Sequence, residues 1–474
     1  MARDARLALG RTRRVHFVGI GGIGMSGIAE LVANLGYEVS GSDLVQSAIT
    51  DRLASLGVRV EIGHDAGHIG AADVVVTSSA IGPFNPEVDE AIRRHVPVIP
   101  RAEMLAELMR LRFGIAIAGA HGKTTTTSMI ALLLEHAGLD PTALIGGRLS
   151  AFGSNARLGQ GPLMVAEADE SDRSFLALSP AIAVVTNIDR EHLEAYGSFE
   201  RLVDAFADFA GRVPFYGAVV ACLDDEPVAA MVPRLTRRVI TYGFAERADV
   251  RGTDVVLNGR AARCRVQFRL PGASGVEGAG DLDIPVPGRH NLQNALGALA
   301  VGLELGVSFA QARDALAAFP GAERRYQVLG QVRGVTVVDD YGHHPTELAA
   351  VIAATRAGDP TRVIAVFQPH RYTRTRDLMG RFGPALAGAD EVLLTDIYPA
   401  GEAPIAGVTV TALAEAVGAA APSVTVIRSL DEVPAAVSVL ARDGDVVLLL
   451  GAGSIGRIGP RVLAALGDVG EGGA

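Results

Sequence analysis

A lysine set among glycines and threonines is the first place in this sequence where chemistry can be read. Gly119-Ala120-His121-Gly122-Lys123-Thr124-Thr125 follows an apolar stretch, Phe113 to Ala118. It precedes a helical pattern through Met129, Ile130, Leu133 and Leu134 that runs toward Gly138. A strand turning through glycines into a helix presents unpaired N–H groups and the positive end of a helix dipole, which together hold phosphate oxygens. Lys123 adds a point charge for the outer phosphates, and the Thr124 hydroxyl offers a ligand to Mg²⁺. The spacing is shorter than in the usual P-loop, because Ile117 stands where the first glycine belongs. Four successive threonines at such a turn are hard to explain by packing, so nucleotide binding is the expectation.

Further chemistry-bearing groups sit where apolar runs end. Glu167-Ala-Asp-Glu170-Ser-Asp172 leaves the run Leu163 to Ala166, where a ligand to Mg²⁺, an ion that prefers oxygens, belongs. Either Glu167 or Glu170 can serve, and Glu167, directly after the run, is favoured. Asn187-Ile-Asp189-Arg-Glu191-His192 leaves the run Ala181 to Val185, making His192 a metal or phosphate ligand or a helix cap. His290-Asn291-Leu-Gln-Asn294 opens a helix, and Asn amides suit either an adenine edge or a cap. Arg324-Arg325-Tyr326 suits a phosphate. Asp339-Asp340-Tyr341-Gly-His343-His344-Pro345 ends a strand, where ribose contacts are common. No cysteine or third ligand at metal spacing makes its histidine pair a zinc site. Gln368-Pro-His370-Arg371-Tyr-Thr-Arg374 presents guanidinium groups suited to carboxylate or phosphate.

Gly19-Ile-Gly21-Gly22-Ile23-Gly24 lies between a strand at 14–19 and a helix through Ile28, Leu31, Val32 and Leu35, with Asp43 about 20 residues on. Alone, this fingerprint predicts NAD and a dehydrogenase. The same pattern recurs at Gly451-Ala-Gly453-Ser-Ile-Gly456, so glycine turns here are as readily the geometry of wound sheets.

A chain of 474 residues allows two to four domains with real cores. Lys plus Arg is 43 and Asp plus Glu 53, a net charge of −10 with no basic run, which disfavours nucleic acid. Cys222 and Cys264 form no disulfide framework. Arg11, Arg13 and Arg14 before an uncharged run imitate a signal peptide, but five glycines in that run suit a phosphate loop better. No stretch reaches the roughly 18–20 apolar residues of a membrane span, so a soluble, cytoplasmic protein is expected. Strands at 38–40, 58–62, 74–77 and 98–100, with a helix at 86–95, complete a first domain near residue 108. Residues 262–270 alternate apolar with polar, as a strand with one buried face. Residues 271–280 read as an exposed loop. Strands at 335–339, 362–368, 391–395, 424–427 and 445–450 alternate with Ala-rich helices. The expectation is three α/β domains, 1–108, 109–320 and 321–474, the outer two Rossmann-like.

In this order the motifs resemble the Mur ligases, ATP-dependent amino-acid-adding enzymes of peptidoglycan synthesis. The resemblance rests on Gly-x-x-Gly-Lys-Thr-Thr, Glu-Ala-Asp-Glu-Ser-Asp, Asn-Ile-Asp-x-x-His-Leu, His-Asn-x-x-Asn-Ala, Arg-Arg and Asp-Asp-Tyr-Gly-His-His-Pro, and covers almost the whole chain. Ala120 and Glu191 depart from the family's Thr and Asp. The resemblance implies a ligase that adds L-alanine to UDP-N-acetylmuramate through an acyl phosphate. The first domain then binds the UDP-sugar through Gly21, Gly22, Ile23, Gly24, Asp43, Ser78 and Ser79. The central domain binds MgATP through Gly119, Ala120, His121, Gly122, Lys123, Thr124, Thr125, Asn291 and Asn294, with Thr124, Glu167 and His192 on Mg²⁺. The third supplies Arg325 for the γ-phosphate, Asp340 for the ribose, and His343, Arg371 and Arg374 for the amino acid and muramoyl end. Lys123, His192, Arg325 and His343 are the catalytic candidates. Closure of the third domain and a monomer or weak homodimer are expected. A ligase recycling a whole tripeptide, a folate-type glutamate ligase and a nucleotide sensor without turnover are the alternatives.

Overall fold

The computed structural model describes residues 9–78, 80–82, 84–149, 154–270 and 277–468. Its strands form three sheets. The first comprises β1 (Arg14–Val18), β2 (Glu38–Asp43), β3 (Arg59–Ile62), β4 (Val74–Thr77) and β5 (Val98–Pro100), in the order β3-β2-β1-β4-β5. Every pairing in it is parallel. The reversal of direction around β1 puts the ends of β1 and β4 at a switch point, where α/β sheets bind ligands.

The central sheet begins with β6 (Phe113–Ala118), β7 (Thr142–Leu149), β8 (Ser154–Arg157), β9 (Leu163–Glu167) and β10 (Ile182–Val185). It continues with β11 (Ala218–Cys222), β12 (Val239–Gly243), β13 (Val250–Leu257), β14 (Ala262–Arg269) and β15 (Glu277–Ile284). The order is β15-β14-β13-β12-β11-β10-β6-β9-β7-β8, with β6 parallel to both β9 and β10. In β10 and β11 every residue is buried, the signature of strands covered on both faces. Strand β14 instead alternates buried and exposed without a break, as its period-two pattern requires. One expectation fails: residues 277–280 belong to β15, not a loop, while 271–276 lie outside the described residues. Glu277-Gly-Ala-Gly has no apolar alternation, so only pairing in the sheet makes it a strand.

The third sheet has β16 (Gln327–Val332), β17 (Val335–Asp340), β18 (Val363–Phe367), β19 (Glu391–Leu394), β20 (Val424–Val426) and β21 (Val446–Leu450). Its order is β16-β17-β21-β18-β19-β20, with β16 antiparallel to β17 and the rest parallel. The helices needed below are α1 (Ile23–Asn34), α2 (Pro86–Arg93), α3 (Arg101–Arg110), α4 (Lys123–His136), α5 (Leu193–Tyr196), α6 (Arg289–Glu304), α7 (Pro345–Arg356) and α8 (Tyr372–Leu386). Among the described residues no helix is long and apolar enough to cross a membrane.

By contacts the chain divides into two compact units. One holds residues 1–253, 265–282 and 293–317, the other 254–264, 283–292 and 318–474. In the first, a continuous core runs from Phe17 and Ile28 through Met104 and Met109 to Ala116, Phe175 and Phe206. In the second, the sheet is packed on both faces, by Leu348, Phe367 and Phe382 on one and by Val337, Val447 and Val462 on the other.

One face of the first sheet is different. Its apolar cluster holds four buried residues, Val18, Ile69, Val75 and Ala91. Beside them lies fully buried Glu87, the second residue of α2. His16 Nε2 and the Ser42 hydroxyl donate to one carboxylate oxygen at 2.8 and 2.7 Å. His64 Nδ1 and His68 Nδ1 stand 3.1 and 3.3 Å from the other. Burial works against ionisation, but the donors His16, Ser42 and His64 outweigh it and hold the group at about 2, below its ordinary 4.5. A carboxylate with a depressed folded pKa stabilises the fold fully above its unfolded value and loses that contribution as pH falls toward the folded one. The Glu87→Gln variant is therefore less stable by roughly 3 kcal/mol near neutrality, and the deficit shrinks between about pH 4.5 and 2. Urea unfolding across that range measures it, and a deficit independent of pH contradicts the assignment.

Candidate active site

Strand β6 stops at Ala118 and α4 starts at Lys123, and the turn between them needs two glycines. Gly119 has φ +143° and Gly122 φ +80°, both in the region that favours glycine. A Cβ on Gly119 would lie 2.0 Å from Thr186 Oγ1 and 3.0 Å from the Asn187 carbonyl; one on Gly122 would lie 2.6 Å from Asn294 Oδ1. Gly119→Ala is accordingly expected to cost at least about 1–3 kcal/mol. Gly211→Ala, in open space at the end of a helix, changes stability by less than about 0.5 kcal/mol. Thermal unfolding of the two variants compares them, and equal melting temperatures contradict the crowding.

The loop is gripped from the end of β10. Asn187 Oδ1 accepts from the His121 N–H at 2.8 Å, and Asn187 Nδ2 donates to the His121 carbonyl at 3.0 Å. The Thr186 hydroxyl donates to that same carbonyl at 2.7 Å, and His121 Nε2 lies 3.0 Å from Asp189 Oδ2. Lys123 Nζ folds back onto the Gly119 and Ala120 carbonyls and reaches Glu170 Oε1 at 2.9 Å. Burial opposes the charge on Lys123, yet Glu170, Asp169 and Glu167 raise its pKa above the ordinary value, so the ammonium persists. Burial lifts Glu170 to about 7, with Asp169 adding and Lys123 opposing. Glu170 Oε2 has no partner among the described residues.

The acidic run divides by partner. Thr124 Oγ1 lies 3.3 Å from Glu167 Oε2, while Glu167 Oε1 accepts from the Gly146 N–H at 2.6 Å. Glu170 goes to Lys123. An alcohol and a carboxylate oxygen side by side at a helix start suit a hard, oxygen-seeking cation such as Mg²⁺. His192 sits at φ +55° as the N-cap residue of α5, with Nδ1 3.8 Å from Glu194 Oε1. Thr125 is buried in the first turn of α4.

The glycine loop of the first sheet is held differently. The Ser42 carbonyl accepts from the Gly19 and Ile20 N–H groups at 2.8 and 2.9 Å. Asp43 Oδ2 accepts from the Gly21 N–H at 2.8 Å, so this carboxylate closes the loop. Helix α1 starts after Gly22 with no side-chain cap, the kind of helix start at which an anion fits. Ser78 follows β4 and is half-buried; Ser79 lies outside the described residues, as does the side chain of Ile23. Arg101, which the sequence did not single out, stands over this helix start. Its Nη1 would lie 2.4 Å from a Cβ on Gly24, and its Nη2 reaches Asp169 Oδ2 at 3.3 Å. Arg101, Glu167 and Asp169 line one recess with Ser174 and Phe175.

In the second unit the motif residues also gather. Asp340 is buried, accepts from the Tyr326 and Gly342 N–H groups at 2.7 and 2.6 Å, and is pushed up by burial to about 6 against the pull of Arg325. Glu347 accepts from the His343 N–H at 3.0 Å and stands 3.6 Å from Arg325. Arg325 lies 5.1 Å from the Tyr341 ring centre, which meets His343 edge-on at 5.5 Å. His343 lies 5.7 Å from His370, which stacks on Tyr398 at 5.5 Å and accepts from Arg374 at 3.2 Å. Burial, then His343, Arg374 and Arg371, push His370 down to about 3, so it is neutral. Arg371 caps α8 at φ +71°. Asn291 Nδ2 donates to the Pro287 carbonyl at 2.7 Å, a local bond, whereas Asn294 in the first unit crowds Gly122. The 451–456 pattern leads into a short 3-10 turn, not a dinucleotide helix, and its Gly451 carbonyl accepts from Arg324 at 2.6 Å. Glu347 was legible as the third helical residue after a cap at His344; Tyr398 carries no sequence signal.

The chain is similar to known proteins over 96% of its length. Residues 14–113 match the Mur ligase family catalytic domain, 117–302 the Mur ligase middle domain and 324–453 the Mur ligase glutamate ligase domain. The UDP-N-acetylmuramate–L-alanine ligase of Geobacter sulfurreducens is 52% identical over 460 residues, 96% of this chain and 98% of that one. Its counterpart in an Anaeromyxobacter species is 54% identical over 456 residues, again 96% and 98%. The crystal structure of the UDP-N-acetylmuramate–alanine ligase of Thermotoga maritima superposes with a TM-score of 0.79 at 28% identity, covering 96% of this chain and 99% of that one. A murein peptide ligase of Psychrobacter arcticus gives 0.69 at 25%, with 96% and 99% covered.

Proposed function

The chain belongs to the Mur ligase family, and we propose that it is an ATP-dependent ligase joining L-alanine to the lactoyl carboxylate of UDP-N-acetylmuramate in peptidoglycan synthesis. The observation that carries the reading is the group at the ends of β6 and β9: Lys123, Thr124, Glu167 and Glu170 on a glycine turn with an open helix start. The full-length similarity to ligases of that name supports the choice of substrates. A division at about residues 108 and 320 is proposed with it; the gap between the matched stretches at 302–324 supports the second limit, while the gap at 113–117 falls a few residues beyond the first.

A carboxylate resists attack by an amine because it is already electron-rich, so it must first become an acyl phosphate. In the proposed reaction the lactoyl oxygen attacks the γ-phosphorus of ATP and ADP leaves. Lys123 offsets the repulsion between the two anions, and the first-turn N–H groups of α4 hold the phosphate oxygens in line. The uncharged amine of L-alanine then attacks the acyl carbon, phosphate departs, and a proton is released. Thr124 and Glu167, with His192, are the residues proposed to hold Mg²⁺, which supplies charge neutralisation at the phosphates. The glycine loop with Gly21, Gly22 and Gly24 is proposed to hold the UDP diphosphate. In the second unit Arg325 is assigned to phosphate, Asp340 to ribose, and His343, Arg371 and Arg374 to the amino acid and muramoyl end.

Phosphate release with the UDP-sugar and MgATP fixed, measured across twenty amino acids, tests the reading. Release is expected to be fastest with L-alanine and to vanish without any amino acid. Release independent of amino acid contradicts a ligase, and a preference for a tripeptide substitutes the recycling reaction. One methylene separates alanine from glycine, worth about 1–3 kcal/mol, so a residual rate with glycine is expected.

A further inference from the structure

The Glu87 network reaches the glycine loop by a short route. Ser42 donates its hydroxyl to Glu87 and accepts two N–H groups of the loop on its carbonyl. The next residue, Asp43, takes the third successive N–H, that of Gly21. The end of β2 thus grips the loop, and Glu87 fixes the end of β2. Glu87 is itself anchored: Asn85 Oδ1, at the N-cap of α2, accepts from the Glu87 and Val88 N–H groups at 3.0 and 3.4 Å. Ile81, on the segment leading to α2, would lie 3.1 Å from a Cβ on Gly19.

The same carboxylate is an expensive way to fill a core. Ions buried in hydrogen-bonded clusters are often no more stabilising than well-packed apolar groups of similar volume. His16 bridges two partners, with Nδ1 2.9 Å from the Ser40 hydroxyl and Nε2 2.8 Å from Glu87. What the arrangement provides, beyond stability, is direction: three histidines and Ser42 converge on one carboxylate, and the Ser42 hydroxyl is held between Glu87 and His64 Nδ1 at 2.7 and 3.1 Å.

We infer that Glu87 is a positioning residue for the UDP-sugar, holding the glycine loop in its anion-binding form through Ser42. The inference rests on the reading of that loop as the UDP-sugar site. It leaves the nucleotide turn at Lys123 untouched, because none of the network's partners, His16, Ser40, Ser42, His64 and His68, belongs to the central sheet.

Steady-state kinetics and calorimetric titration of the full-length Glu87→Gln and Ser42→Ala variants with UDP-N-acetylmuramate test it. The expected result is a rise of about tenfold or more in KM and Kd for the UDP-sugar, by analogy with the loss of an outer partner at a metal site. KM for ATP and kcat at saturation stay within about twofold of the unaltered protein, because the interaction lost is one of binding. A network that serves stability alone lowers the melting temperature and leaves both KM values in place, which overturns the inference. Ser42→Ala introduces no charge imbalance and decides the matter if Glu87→Gln does not fold. Failure of the unaltered protein to bind the UDP-sugar is a separate result, and contradicts the site assignment instead.

Discussion

Replacing Lys123 by Ala slows turnover at least about a hundredfold, a loss of roughly 3 kcal/mol of transition-state stabilisation, the scale of deleting one preorganised donor. The ammonium is held ready for this task. It is bonded to two carbonyls of its own loop and to Glu170, and the surrounding carboxylates keep it protonated despite burial. The carbonyls and Glu170 are partners that phosphate oxygens can replace, because a lysine has three donors and a flexible stem. The loss falls mainly on kcat, since the charge matters most as the phosphoryl group moves between two anions. Rapid-quench measurement of ADP formation in the variant checks it, and a rate near that of the unaltered protein removes Lys123 from the chemistry.

The second large effect separates two glutamates that the sequence left open. Glu167→Gln raises the Mg²⁺ concentration for half-maximal turnover by at least about tenfold, the lower end of what loss of even an outer-shell partner costs a metal site. Glu170→Gln lacks that signature, because its carboxylate faces Lys123 while Thr124 faces Glu167. Magnesium titrations of the two variants at saturating ATP compare them. A larger shift in the Glu170 variant reverses the assignment.

Much of the fold was legible because buried parallel strands are short apolar runs. The runs at 74–77 and 113–118 are strands with those limits, and the alternation at 262–270 gave its buried face. What escaped was pairing over distance. Residues 277–280 carry no apolar pattern, and the hairpin of β7 and β8 has little periodicity to show. The site divides along the same line. Glycines at 119 and 122 announce their turn because backbone geometry demands them, and Lys123 follows in register. Glu87 and Arg101 announce nothing: each acts through residues tens of positions away, His16 and Ser42 for one and Asp169 for the other. Asp43 marks a subtler limit. Its position suits a ribose contact, and its carboxylate also closes the glycine loop, a bond that spacing alone does not reveal.

The central claim is that the oxygen of the sugar-borne carboxylate attacks phosphorus. UDP-N-acetylmuramate labelled with oxygen-18 in its lactoyl carboxylate tests this, with the isotope followed by mass spectrometry of the phosphate released in a complete reaction. An acyl phosphate carries one labelled oxygen into each phosphate as the amide forms. Phosphate free of label, alongside a labelled product, contradicts the account.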